Sequence, residues 1–374
     1  MLTFKGRKED MRLVRGQGQY TSDWNMPGQL HACFLRADRA HAAIRSIDAA
    51  AAKSMDGVVA VLDGRDIADA GMRTLPPTVP YPGRGDARIL MPERPALARE
   101  RVRYVGEEVA VVVAETVRQA MDATEQIYVE YDDLPPVIGF DAALAEGAQQ
   151  LHTNIPGNVC FDFDYGDEKA TATAIDAAPL VVRLTAESPR VAPVPMEPRA
   201  VLASFDEATG QYEIRCSHQG VGAISQGLAV MLGVELGMIR VNMVDVGGAF
   251  GPRGSPYAEY AVLLHAAKSL GWPIKWVATR SEDFATDSHG RGIRLSGELA
   301  LDERGTFLAL RSLWLCDEGA YLTTSGALTN TINGQLMAAG PYRTPVMYGR
   351  HRLVMTNATP TTPIAAQAGR KHRI

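Results

Sequence analysis

Two stretches share one plan: Tyr212-Glu-Ile-Arg-Cys-Ser-His-Gln-Gly220 and Asp245-Val-Gly-Gly-Ala-Phe-Gly-Pro-Arg-Gly254. In the first, 212–217 reads as a strand, His218-Gln219-Gly220 as a polar turn, and 223–232 as a helix closed by Gly233. In the second, 239–246 reads as a strand that enters the glycine-rich loop 247–254. The helix 256–270 follows, with Tyr260, Leu263, Leu264, Ala267 and Leu270 on one face and Gly271 and Pro273 as its stop. A helix start has unpaired N–H groups and a partial positive charge, so it suits an anion. Glycine lets the main chain approach a ligand that a Cβ would hold away. Two such loops on adjacent strands can clamp one phosphorylated or oxyanionic cofactor, although a plain structural turn remains the alternative for either loop alone. The nucleotide signatures fail: 247–254 is not G-x-G-x-x-G, and no G-K-[ST] follows, which disfavours a nicotinamide or ATP site. Phe250 is unusual between small loop residues. It is either a plug into the core or an apolar wall beside a bound planar group.

Outward from these loops the chain alternates short elements. Residues 181–186, 200–204 and 274–279 read as strands, 206–210 as a hairpin turn, and 295–301 with 307–316 as a hairpin around 302–305. Upstream, 30–36 and 57–62 read as strands, the second ending in a turn at Asp63-Gly64. The valine-rich 104–113 is a third strand, followed by a helix over 116–127 and a strand over 127–131 that Leu134-Pro135-Pro136 stops. Strand, helix and strand at this spacing predict a βαβ-like unit and an α+β or α/β class. Residues 137–180 are alanine-rich and acidic, so they read as a connection across the surface with little to build a core.

The length of 374 residues is enough for two domains. A net charge of −5 gives no electrostatic case for nucleic acid. No apolar run approaches the ~20 residues of a membrane helix; the longest, 109–114, is flanked by Glu107, Glu108 and Glu115. Residues 1–14 carry charges throughout and no apolar signal core, so a cytoplasmic location is the default expectation. Cys33, Cys160, Cys216 and Cys316 form no C-x₂-C pair, so the chain encodes neither a zinc site nor an iron–sulfur cluster of its own.

Several motifs in order carry a resemblance. Val246-Gly-Gly-Ala-Phe-Gly-Pro-Arg, Tyr257-Ala-Glu-Tyr, Gly271-Trp-Pro-Ile-Lys-Trp and Arg280-Ser-Glu-Asp-Phe resemble the V-G-G-G-F-G-x-K, Y-x-E, LG-x-P-V-K-W and R-x-E-x-F run of molybdenum hydroxylase large subunits, the xanthine oxidase and aldehyde oxidase type. Met196-Glu-Pro-Arg-Ala, Ser217-His-Gln-Gly, Asp287-Ser-His-Gly-Arg291 and Asp317-Glu-Gly-Ala-Tyr321 extend it. Upstream, Arg15-Gly-Gln-Gly-Gln-Tyr, Val105-Gly-Glu-Glu-Val-Ala and Val129-Glu-Tyr-Asp-Asp-Leu-Pro-Pro-Val resemble that family's hammerhead domain.

The resemblance implies an α+β fold: an N-terminal α/β hammerhead domain over 13–135, then the first lobe of a molybdopterin-binding domain over 150–363. It implies molybdopterin cytosine dinucleotide at Gln219, Gly220, Gly248, Ala249, Phe250, Gly251 and Arg253, with molybdenum held through the pterin. Gln219 would approach an oxo ligand of the metal; an amide can donate there without adding charge. The implied reaction oxidises an aldehyde or an N-heterocycle, or carbon monoxide in one branch, with oxygen from water. Electrons would pass to 2Fe-2S and FAD groups on partners, an iron-sulfur small subunit and an FAD-binding medium subunit.

Three departures matter. Ala249 replaces a glycine, a small change if its φ is negative. Arg253 replaces a lysine, and Gly254 stands where some relatives have a substrate-facing acid, which makes a purine substrate unfavourable. The family subunit runs to about twice this length, and the resemblance puts its general-base glutamate in the part this chain lacks. Glu197, Glu259 and Glu318 read instead as structural or channel residues. Residues 364–374 replace the family's continuation, and a one-base shift would let their codons encode Tyr-Arg-Gly-Ala-Gly-Arg-Pro-Glu-Ala-Pro-Tyr. A frameshifted tail is therefore expected, on a chain inactive alone. One reading has a second chain complete the molybdenum domain. The alternatives are a silent truncated product and a non-enzymatic interaction module that keeps the fold.

Overall fold

The computed structural model describes residues 6–77, 79–243 and 245–364; the expected frameshift at 364–374 lies outside them except for Ile364. The centre is a seven-stranded mixed sheet. Its order is Ile239–Asn242, Gln211–Cys216, Ala200–Asp206, Ile274–Val277, Leu30–Arg36, Glu108–Ala114 and Val58–Asp63. All seven residues of Glu108–Ala114 are buried, which is why that strand reads as a continuous valine run and shows no alternation. Its side chains still divide by parity. Val111 and Val113 join Leu30, Phe34 and Trp276 in the main core, whereas Ala110, Val112 and Ala114 meet Ala120 and Ala123 of helix Val117–Thr124 on the opposite face.

A five-stranded sheet runs Val159–Gly166, Val346–Met355, Phe307–Gly319, Gly290–Leu301, Leu180–Val191, and a three-stranded one joins Arg101–Val102, Ala42–Asp48 and Tyr128–Asp133.

Three expectations need correction. The strands around helix Val117–Thr124 lie in different sheets, so no βαβ unit forms there. Asp63-Gly64 starts the helix Gly64–Asp69: the Asp63 carboxylate accepts from the N–H groups of Arg65 and Asp66. Residues 137–180 do build a core, since Val137, Leu151, Ile155, Cys160, Phe161 and Phe163 pack with Leu353 and Met355. Alternation along Val159–Gly166 is visible in the sequence, but its acidic outward residues disguise it as a solvated linker.

The repeated plan is present. Gln211–Cys216 and Ile239–Asn242 are adjacent and parallel, with Tyr212 opposite Ile239 and Ile214 opposite Val241, and helix Val221–Leu232 makes the crossover. Both loops therefore leave the same end of the sheet, the usual ligand edge of parallel strands. Gly233 and Gly271 close their helices at φ +66° and +71°.

Candidate cofactor site

At that sheet edge the two loops are tied together. The Gln219 N–H donates to the Arg253 carbonyl at 3.0 Å. The Gln219 side-chain carbonyl accepts from the Gly251 N–H at 2.9 Å. This fixes the amide orientation and leaves its NH₂ group as a donor on the open side. Phe250 stands half exposed (50 %), so it is not a plug in a sealed interior. Its φ of +53° is rare for an aromatic residue, and the loop reverses through Gly248 at +115° and Gly251 at +118°. Ala249 is not among the non-glycine residues with positive φ, so its methyl group is accommodated without strain.

The loop is clamped from behind. One Glu197 oxygen accepts from Thr21 N–H at 3.1 Å and the other from Gly247 N–H at 2.8 Å, while Glu197 N–H donates to the Gly247 carbonyl at 3.1 Å. A Cβ on Gly247 would lie 2.5 Å from that of Glu197, and one on Gly251 would overlap the Pro363 carbonyl. Asp245 accepts from Gln19 N–H at 2.8 Å and pairs with Arg12, so the N-terminal segment pins the loop's entry. Arg253 lies behind the same loop. Its guanidinium is buried beneath the loop, donating to Ser217 Oγ and to the Glu197 carbonyl at 2.9 Å.

On the other wall Gly220 precedes helix Val221–Leu232 with no side-chain cap, and Val221, Gly222 and Ala223 are exposed. Gly220 and Gly222 have no neighbour within 4 Å of a built Cβ, so the helix start faces open space. His218 is buried, its Nδ1 accepting from Gly220 N–H at 3.2 Å, and burial pushes its pKa down so that it is neutral.

The other glutamates are engaged elsewhere. Glu259 is fully buried against Arg199 and Arg36 at 2.9 Å each; burial pushes its carboxyl up, but the two arginines prevail and hold it ionised. Glu318 accepts from Asn330 Nδ2 at 2.7 Å and Thr361 Oγ1 at 3.3 Å, and burial lifts its pKa to about 7. Among the described residues no group of three or more His, Cys, Asp or Glu could hold a metal ion. The cradle thus offers main-chain donors, one neutral amide and one aromatic face, a set that fits a pterin phosphate and its metal carried by the organic group. The clamp of Glu197 on Thr21 and Gly247 was not foreseen. Only Glu197's place in the Met196-Glu-Pro-Arg motif signalled it.

Two family models cover the chain: the molybdopterin cofactor-binding domain matches residues 151–372, and the a/b hammerhead domain of aldehyde oxidase and xanthine dehydrogenase matches 15–135. The chain belongs to the molybdenum hydroxylase large-subunit family. The large chain of carbon monoxide dehydrogenase from Hydrogenophaga pseudoflava is 32% identical over 365 residues, covering 94% of this chain and 44% of that one. The crystal structure of quinoline 2-oxidoreductase from Pseudomonas putida 86 superposes with a TM-score of 0.89 at 33% identity, over 96% of this chain and 45% of that one. The chain thus spans less than half the length of these hydroxylase relatives. The nicotinate dehydrogenase large molybdopterin subunit of Eubacterium barkeri, 26% identical over 355 residues, is matched over 78% of its own length. No helix in the described part of this family member is long and apolar enough to cross a membrane.

Proposed function

We propose that this chain is the half of a hydroxylase large subunit that holds molybdopterin cytosine dinucleotide. Main-chain N–H groups of Gly248 and Ala249 and the open start of helix Val221–Leu232 take the anionic parts, Gly220 and Gly251 shape the two turns through their bonds to His218 and Gln219, and Phe250 forms the apolar wall. Gln219 presents its NH₂ group, and Arg253 positions the loop from below. When bound, the group supplies two-electron oxidation of an aldehyde or N-heterocycle carbon, with oxygen from water. Electrons leave through 2Fe-2S and FAD partners on other subunits. None of Glu197, Glu259 and Glu318 is free to move a proton at the cradle, so the general base comes from polypeptide outside these 374 residues. The division at 13–135 and 150–363 belongs to this reading and is supported by the limits of the two family models.

The carrying observation is the bond from Gly251 N–H to the Gln219 side chain, which makes one site of two loops 32 residues apart. The test is molybdenum content and cytidine monophosphate released from the chain purified from a cofactor-synthesising host. Stoichiometric metal and nucleotide are expected, falling at least about tenfold in Gln219→Ala, roughly the 1.4 kcal/mol of one good polar contact. A folded chain that carries neither would favour the silent or interaction-module reading. The nucleotide sequence from codon 355 decides the proposed frameshift directly.

A further inference from the structure

The five-stranded sheet has two unlike edges. Along Val159–Gly166 another segment closes the edge: Leu90 N–H donates to the Cys160 carbonyl at 2.8 Å, and Gly83 lies against the Asp162 carbonyl. The opposite edge is the twelve-residue strand Leu180–Val191, which pairs with Gly290–Leu301 alone. Among the described residues no backbone hydrogen bond joins that edge to any other segment. A long open edge is a template for strand pairing, and proteins commonly blunt it with lysine, proline or a bulge. Here the one proline, Pro189, lies near the far end, and 180–187 holds no lysine. Leu180, Val182 and Leu184 share one face and are at least half exposed, Leu184 at 67 %.

The other face of the strand ends in unmatched charge. Arg311 stands opposite Glu298 and Glu298 opposite Arg183, with an ion pair at each step, and there the row stops. Four residues along, Arg294 stands opposite Glu187 and pairs with it, and that row stops too. The Arg183 and Glu187 side chains stay 65 % and 61 % exposed. Between them Thr185 shares a hydrogen bond with Ser296 Oγ at 3.1 Å. Residues 183–187 thus run cation, apolar, hydroxyl, apolar, anion, an order that is its own complement when reversed.

An antiparallel copy centred on Thr185 sets Arg183 opposite the partner's Glu187 and Glu187 opposite the partner's Arg183. Both charge rows then continue in alternating sign across the join. Thr185 meets its counterpart, and opposite charges and paired threonines are favoured in directly facing positions. Leu184 comes beside the partner's Ala186, at the head of the row Ala186, Leu295 and Trp314. Within its own sheet Leu184 faces Gly297, which offers no side chain. A slip of two residues sets Arg183 opposite Thr185 or Pro189 and loses both ion pairs, so the register is specified.

We propose that a second copy of this chain docks on this edge, 180–188 antiparallel to its counterpart about a two-fold axis at Thr185, which joins two five-stranded sheets into one. The same patch serves both copies, so association closes at a dimer.

The test is sedimentation velocity of the 374-residue chain over a range of concentrations. A monomer–dimer equilibrium is expected. Arg183→Glu and Glu187→Arg each set like charges opposite one another twice, and each raises the dimer dissociation constant at least about tenfold. Mixing the two variants restores opposite charges at both positions, so a heterodimer of near-parental affinity is expected. A parent that stays monomeric, or that grows past the dimer, overturns the proposal. Single variants that dimerise like the parent overturn it too, as does a mixture that associates no better than its components. Should either charge variant lose its far-ultraviolet circular dichroism, Leu184→Lys alters a side chain already in water and puts a cation on the edge. Loss of the dimer is expected there, and unchanged dimerisation overturns the proposal. The readout needs no molybdenum, so failure here leaves the cradle reading standing, and loss of metal retention leaves this interface standing.

Discussion

Phe250, on the proposed function, is a residue that opposes folding and serves a site. An aromatic side chain at φ +53° costs about 1–2 kcal/mol relative to ordinary backbone, and half its surface stays in water. Nothing in the core repays that, so the return lies in what the ring faces. Phe250→Gly relieves the backbone but adds entropy to the unfolded chain. The expected change in unfolding free energy by urea titration is therefore no more than about 1 kcal/mol, whereas molybdenum retention falls severalfold. A variant that loses stability but keeps its metal would make Phe250 a packing residue. Glu318 illustrates the reverse, a carboxyl buried for packing. Burial raises its pKa from 4.5 to about 7, so the folded chain holds a proton that the unfolded chain releases. Its contribution is complete below pH 4.5 and is lost as pH rises through 7, by at most about 3 kcal/mol. In Glu318→Gln the decline of stability between pH 4.5 and pH 8 should be shallower than in the parent; parallel curves from denaturant titrations would show that burial does not shift this carboxyl. Gln219 was legible as a residue because polar turns before a helix are few, but its hydrogen bond to Gly251 was not, since only the fold brings residue 219 to residue 251.

Elements were read best where one face decides them. Helix Ala258–Leu270 and strand Leu30–Arg36 follow their apolar spacing, and the glycine stops fall where expected. Short elements at polar boundaries were missed. Asp63-Gly64 has the composition of a turn, yet Asp63 caps Gly64–Asp69 with a reciprocal pair of bonds to Asp66. Asp63→Ala should lower the unfolding free energy by about 1 kcal/mol, measured by urea denaturation, and an unchanged value would mean that packing of Ile67 alone holds the helix. The strand Ile239–Asn242 stops sooner than its apolar run suggested, because the chain then leaves the sheet to build the cradle. Residues 137–180 failed for a different reason. Their outward positions in the five-stranded sheet are acidic and pair with arginines, as Asp162 does with Arg350, so the sequence looks like solvated linker while alternate positions fill a core.

At the scale of the molecule, the seven-stranded sheet crosses the boundary that the motifs suggest. Leu30 pairs with Ile274, and Phe34 meets Trp276 edge-on at 5.4 Å. Residues 1–135 expressed alone should therefore lack cooperative unfolding and near-ultraviolet signal, and mixing with 136–374 should restore both; a cooperatively folding 1–135 fragment would show that the shared sheet is a docking of two independent units. The order of motifs along the chain determined the family, the α+β class and the two strand–loop–helix turns of the candidate site, because glycines, caps and apolar periods act locally and are written locally. Three-dimensional packing alone decided that the two loops form one cradle and that Arg253 props it from beneath. Those facts depend on which distant segments a shared core brings into contact, and no run of neighbouring residues encodes that.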